Sequence, residues 1–177
     1  MKTHKLPSIL ILFSVAACSR QTTNIDPILK AKADAGDAVA QYEVGDKLFY
    51  AEGSDMDEVR KWWMKSADNG YWKAQLSVGN HYINNKNNKL GRKYMERAAE
   101  QGSIDAINNM GYMERGNTGM PENKCEALKW HRIAEILSEH ESANVTYGKR
   151  EMGSADIQRA EKLAKEWLKD RPAIAPK

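Results

Sequence analysis

Ala40-Gln41-Tyr42-Glu43-Val44-Gly45 is the first of three hexapeptides in this chain that share one pattern. The others are Ala74-Gln75-Leu76-Ser77-Val78-Gly79 and Ala106-Ile107-Asn108-Asn109-Met110-Gly111, at spacings of 34 and 32 residues. Each has an Ala, an aliphatic residue four positions later and then a Gly. On a helix the Ala and the aliphatic residue share one face, and the Gly lets a neighbouring helix approach closely. A period of this length indicates a repeat architecture.

A second repeated segment follows each hexapeptide. Arg60–Gly70 aligns with Arg92–Gly102, and a third copy begins at Ala127. Gly70 and Gly102 are typical of helix C-terminal caps, and turn-rich stretches separate the two halves of each unit. Each unit is therefore predicted to be helix, loop, helix. The second helix should bury a stripe of one aromatic and one small residue: Trp62 and Ser66, Tyr94 and Ala98, Trp130 and Ala134.

These residues resemble the Sel-one-like repeat family, relatives of the tetratricopeptide repeat. The resemblance covers about residues 26–138. It implies an all-α fold, a short α/α superhelical solenoid of helix-pair repeats with a C-terminal capping helix. We expect a partial unit at 26–36 and repeats at 37–70, 71–102 and 103–138, with the last helix running to about His140.

The start of the chain has the layout of an export signal. Lys2 and Lys5 precede an apolar run in residues 1–17, and Val15-Ala16-Ala17-Cys18 resembles the bacterial lipobox. The resemblance implies lipidation of Cys18, a lipid anchor in the membrane and a location on the periplasmic side of the bacterial outer membrane. The alternative is an ordinary cleaved signal with an incidental Cys. Residues 18–25 read as a polar tether.

The end of the chain is predicted to be a linker and capping helix over 139–170, followed by a tail at 171–177. Ser154 is the expected N-cap of this helix, and its apolar face is expected to cover the last repeat.

Composition and motifs argue against catalysis and against nucleic-acid binding. The 177 residues include 27 Lys and Arg and 24 Asp and Glu, so the net charge of the chain is close to zero once the leader is removed. No sequence motif for a nucleophile, nucleotide or metal is present, so we expect no enzyme, no cofactor and no metal. His131 and Glu135 with Cys125 or His140 could form a metal site, but a solvated helix face is the favoured interpretation.

The family resemblance implies a protein-binding module whose groove is formed by the first helix of each unit. Whether Phe49, Leu76 and Ile83 line this groove or pack between units is left open by the sequence. By analogy with tetratricopeptide geometry, the groove-facing positions are Tyr42, Asp46, Phe49, Leu76, Asn80, Ile83, Asn108, Tyr112 and Arg115.

Two roles for such a module compete. The chain resembles repeat-containing immunity proteins of bacterial secretion systems, which block a toxic effector such as a phospholipase; this implies a monomer bound to a secreted toxin. The alternative is an envelope adaptor or regulatory scaffold, and an envelope hydrolase is a remote third possibility.

Overall fold

The computed structural model describes residues 24–175. The expected signal peptide, the lipidation site Cys18 and most of the 18–25 tether lie outside the described residues. In the described part the chain forms nine helices and no strand. The helices are α1 (Pro27–Asp34), α2 (Ala38–Phe49), α3 (Met56–Asp68), α4 (Trp72–Asn84), α5 (Asn88–Ala99), α6 (Ile104–Glu114), α7 (Lys124–Ser138), α8 (Ala143–Arg150) and α9 (Ser154–Lys169).

Each helix from α1 to α7 packs on the next one along the chain, and α7 then carries both α8 and α9. The protein is thus an all-α solenoid of helix pairs, as the sequence predicts. The pairs are α2–α3, α4–α5 and α6–α7, and α1 occupies the place of the expected partial unit. The amphipathic α9 buries Ala160, Ala164 and Leu168, so it covers the end of the stack.

A close helix approach at a glycine recurs in every pair. A Cβ placed on Gly45, Gly79 or Gly111 would lie 2.6, 3.0 or 2.5 Å from the side chain opposite it. Those opposing residues are Trp63, Met95 and His131, which occupy equivalent positions on α3, α5 and α7. The hexapeptide glycine is therefore required by packing, as the sequence predicts.

The predicted aromatic and small stripe on the second helices is also confirmed. Trp62, Tyr94 and Trp130 are buried, and so are the small residues four positions later. The predicted cap at Gly70 has a φ of 94°. Its N–H donates to the carbonyl of Ala67, and the N–H of Tyr71 donates to the carbonyl of Ser66, which satisfies the last turn of α3.

Glu114, which interrupts the apolar pattern of α6, is buried. Its carboxylate accepts a hydrogen bond from the Arg92 guanidinium on α5. Only 8% of the Glu114 side chain is exposed, against 30% for Arg92. A buried charge is tolerated when it is paired in this way, so an ion pair joins the second repeat to the third.

The structure differs from expectation at three places. Helix α7 ends at Ser138, short of His140, because Glu139 adopts a left-handed conformation with φ 56°. Ser154 is the first residue of α9 and Gly153 is its N-cap. Part of the expected linker forms helix α8. Within residues 24–175, none of the helices combines the length and the apolar character needed to cross a membrane.

Candidate functional site

The nine predicted groove residues lie on α2, α4 and α6, with Arg115 directly after α6, but they differ in exposure. Phe49, Asn80 and Tyr112 are exposed, whereas the other six are half-buried. The half-buried set contains Tyr42, Asp46, Leu76, Ile83, Asn108 and Arg115.

Leu76 and Ile83 lie against the largest core cluster, which joins the second and third repeats. Tyr42 packs against the preceding cluster, and its ring meets that of Tyr71 edge to face at 5.4 Å. These side chains hold neighbouring units together. Partner contact at Leu76 and Ile83 stays a prediction, while their contribution to packing is visible in the structure.

Asn80 is an exposed polar position that connects two repeats across the surface. The amide of Asn109 donates a hydrogen bond of 3.1 Å to the Asn80 side-chain oxygen, which links α6 to α4. Phe49 lies near the loop after α2, and its ring is 5.3 Å from that of Trp63. Asn80 and Phe49 are therefore available for contact with a partner.

Tyr112 and Arg115 line an open cleft between the end of α6 and helix α8. The cleft has a volume of about 850 Å³. We call it the α6–α8 cleft, and it is lined by Tyr112, Arg115, Asn117, Glu141, Ser142, Ala143, Asn144, Thr146, Tyr147 and Arg150.

Helix α8 positions both tyrosines of the cleft. The amide of Asn144 donates to the Tyr112 hydroxyl at 3.0 Å. The Arg115 guanidinium lies 4.4 Å from the centre of the Tyr147 ring and 3.7 Å from the Glu151 carboxylate. A side-chain hydrogen bond with Glu151, and the charge of that carboxylate, raise the pKa of Tyr147. The cleft therefore presents aromatic faces beside a cation that is held in place.

The floor behind Tyr112 is the imidazole of His131. The two rings meet edge to face at 5.1 Å, and only 1% of His131 is exposed. Its Nδ1 lies 3.4 Å from the side-chain oxygen of Asn108, and Nε2 has no hydrogen-bond partner in the described structure. Burial, and secondly the charge of Arg115, lower the pKa of His131 to about 4. The ring is neutral at physiological pH and acts as a packing element.

The interpretation of His131 as part of a solvated helix face is therefore wrong. It occupies the position of Trp63 and Met95, opposite a glycine of the facing helix, where each repeat buries a large side chain. Its neighbour Glu135 instead accepts a hydrogen bond from the backbone of Ser142. Among residues 24–175, no cluster of three or more His, Cys, Asp or Glu side chains could hold a metal ion.

Comparison with known proteins agrees with this repeat geometry. The Sel1 repeat family model matches residues 38–71, 85–103 and 104–135. The chain is a Sel1-like repeat protein. Sel1 repeats form scaffolds for protein–protein interaction, and the family fold is generally non-catalytic.

Two solved structures share the Sel1-like fold of this chain. One is a protective antigen present in uropathogenic Escherichia coli strains that displays an SLR fold, with a TM-score of 0.69 and 22% identity. The match covers 81% of this chain and 32% of the antigen, so the chain spans about a third of the antigen's length. The other is a Sel1 repeat protein from Oxalobacter formigenes, with a TM-score of 0.57 and 25% identity, covering 70% and 96% of the two chains. No curated protein sequence matches this chain.

Sequence reasoning missed the contribution of α8 to the site of this Sel1-like repeat protein. Asn144, Tyr147 and Arg150 lie in a stretch without the repeat pattern, and only Val145 of α8 is buried. The sequence signals for this helix are Ser142 in the N-cap position and the basic residues Lys149 and Arg150 in the last turn. An eight-residue helix with one buried residue has too little periodicity to be found from sequence.

Proposed function

We propose that this chain is a non-catalytic lipoprotein of the bacterial outer membrane that faces the periplasm and binds a partner protein. The observation that carries the binding role is the α6–α8 cleft, where Tyr112 is 38% and Tyr147 is 49% exposed. Tyrosines and arginine are the residue types that dominate binding energy at protein interfaces. Arg115 is already fixed against Tyr147 and Glu151, so little conformational entropy is lost when a partner binds.

Lipidation of Cys18 supplies the location in this proposal. It is supported by the lipobox-like Val15-Ala16-Ala17-Cys18 and by the export signal before it. Replacing Cys18 with Ser should move the protein from the membrane fraction to the soluble periplasmic fraction. A Ser19→Ala variant, one residue later, is the matched control and should stay with the membrane. Retention of the Cys18→Ser variant would contradict the lipid anchor.

The partner in this proposal is a secreted toxin, such as a phospholipase delivered by a type VI secretion system, and the chain is its immunity protein. A small, anchored, non-catalytic binder suits this task because it needs only to cover the surface of a toxin. Deletion of the gene should make cells sensitive to attack by sister cells, and expression of the intact chain should restore resistance. Equal resistance with and without the chain would overturn the immunity role in favour of an envelope adaptor.

The contribution of the cleft is tested by affinity capture from periplasm and by the same killing assay. Tyr112→Ala removes an exposed ring and should abolish both capture of the partner and protection. Thr118→Ala, in the loop after α6, is a control that should retain both. Capture that is unchanged by Tyr112→Ala would place the binding surface elsewhere on the solenoid.

A further inference from the structure

A second exposed apolar surface lies at the other end of the repeats, around the loop that joins α2 to α3. We call it the Phe49 patch, and it consists of Phe49, Tyr50 and Met56, which are 39%, 78% and 39% exposed. The Phe49 ring contacts Tyr50 at 5.1 Å and the buried Trp63 at 5.3 Å. The patch is thus fixed at its base by the core and open to solvent at Tyr50.

The residues around the patch are strongly acidic. From Asp46 to Arg60 there are five carboxylates against two cationic side chains, a net charge of −3. Arg60 already pairs with Asp57 at 2.6 Å. Glu52 and Glu58 are exposed, and neither takes part in an ion pair within the described part of the chain. The apolar surface therefore lies in an acidic segment in which two exposed carboxylates, Glu52 and Glu58, have no ion-pair partner within the described residues.

This acidity is local. Residues 61–101, which complete the first repeat and form most of the second, carry eight Lys and Arg against three Asp and Glu. The chain as a whole is close to neutral, so its charge is separated along the solenoid. Separated charge of this kind steers and orients an approaching partner more than it adds affinity.

We infer that the Phe49 patch docks a cationic segment of a partner polypeptide, one that combines Lys or Arg with an apolar anchor. The anchor packs on Phe49 and Met56, a guanidinium or ammonium lies over the exposed Tyr50 ring, and further cations pair with Glu52 and Glu58. The acidic surface selects this chemistry because an anionic segment is repelled and a neutral one leaves the carboxylates without partners.

The same charges argue against a lipid surface as the occupant. Membrane-surface binding combines aromatic residues with Lys and Arg, which attract anionic headgroups. The Phe49 patch combines aromatic residues with carboxylates, which anionic headgroups repel. A second copy of this chain is the remaining alternative, because its basic second repeat is also complementary, and the experiment includes it as an outcome.

This inference rests on the proposed protein-binding function and adds the chemistry of one bound segment. The test uses the purified full-length chain and three fluorescent 12-residue peptides of equal length, read by fluorescence anisotropy. One peptide combines Arg and Leu, one combines Arg and Ser, and one combines Glu and Leu. The Arg–Leu peptide should bind about tenfold more tightly than either of the others, and its affinity should fall steeply as salt is raised.

Variants assign the binding to the patch. Tyr50→Ser, and separately Glu52→Gln combined with Glu58→Gln, should each weaken the Arg–Leu peptide about tenfold, with the helical circular dichroism spectrum unchanged. Glu139→Gln combined with Asp170→Asn removes two exposed carboxylates away from both the patch and the cleft, and is the charge-matched control. Equal affinity for all three peptides, no peptide binding, or binding unaffected by the patch variants would overturn the inference.

Two further readouts separate the possible failures. Tyr112→Ala should leave peptide binding unchanged, so loss of partner capture in that variant concerns the cleft and not the patch. Analytical ultracentrifugation of the chain alone tests the remaining occupant. A dimer that Tyr50→Ser abolishes would show that a second copy covers the patch, and would overturn the inference of a cationic partner segment.

Discussion

Gly111 on α6 lies directly against the imidazole of His131 on α7, so that a Cβ at position 111 would be 2.5 Å from the ring Cε1. Gly45 faces Trp63 and Gly79 faces Met95 in the same way. One geometric rule, a glycine opposite a large side chain, thus sets the distance between the two helices of every repeat.

Replacing Gly111 with Ala should destabilise the protein by roughly 1–3 kcal/mol, because overpacking outweighs the gain in helix propensity. Urea unfolding measures the change. In a His131→Ala background the same substitution should be less destabilising, since the clashing ring is absent. Gly148→Ala on α8 is the control, because a Cβ there would lie 3.2 Å from its nearest neighbour, the Leu128 Cδ1, and so would be less crowded than at Gly111. A Gly111→Ala variant as stable as the parent would contradict this geometry.

Acid should destabilise the fold through His131. Burial, with a further contribution from Arg115, lowers the pKa of His131 from 6.5 to about 4. The unfolded chain therefore binds a proton at this site before the folded chain does. This difference in proton binding does not affect stability above pH 6.5. As the pH falls from 6.5 towards 4 it lowers the free energy of unfolding, and below pH 4 the loss levels off. The total loss of stability from His131 is roughly 3 kcal/mol.

A His131→Gln variant isolates this effect from the carboxylates that titrate at lower pH. Unfolding free energies of parent and variant, measured between pH 7.5 and 4.5, should converge as pH falls, because only the parent loses the His131 contribution. Parallel curves would mean that His131 is accessible to protons in the folded state.

Sequence alone predicted the repeats, their helix pairs, the buried stripe of Trp62, Tyr94 and Trp130, and the close approach at the hexapeptide glycine. These features depend on residues a few positions apart on one helix, and they recur, so local periodicity reveals them. The exposed Tyr112 and Phe49 were also among the predicted positions, although which of the nine face solvent depends on how neighbouring units stack.

Long-range pairings could not be predicted in the same way. Glu114 interrupts the apolar pattern of α6, and its partner Arg92 is 22 positions away on another helix, so local periodicity does not reveal the pair. The sequence favours a surface position for His131, because the burial of its ring depends on Gly111 of the facing helix. The α8 wall of the cleft lies outside the repeat pattern, so neither period nor motif marked Asn144 or Tyr147 as site residues.

A further prediction concerns the contribution of the Arg92–Glu114 ion pair to stability. Arg92→Met leaves a buried carboxylate without its cation, and should lower the free energy of unfolding by roughly 3 kcal/mol. Adding Glu114→Leu should recover most of that loss, because an apolar residue then fills the site without a charge. Chemical denaturation of the two single variants and the double variant gives the coupling energy. Purely additive effects would show that the two side chains do not interact in solution.

Leu76 and Asn80, one turn apart on α4, should separate packing from binding. Leu76 lies against the core between the second and third repeats, so Leu76→Ala should destabilise the protein by about 2 kcal/mol. Asn80 is exposed and shares one surface hydrogen bond with Asn109, so Asn80→Ala should change stability by less than about 0.5 kcal/mol.

Partner affinity, measured on both variants at a temperature where each is fully folded, then shows directly whether the groove contacts the partner. If α4 forms part of the binding surface, Asn80→Ala weakens the partner although the fold is unaffected. Unchanged affinity in the Asn80 variant would show that Asn80 does not contact the partner.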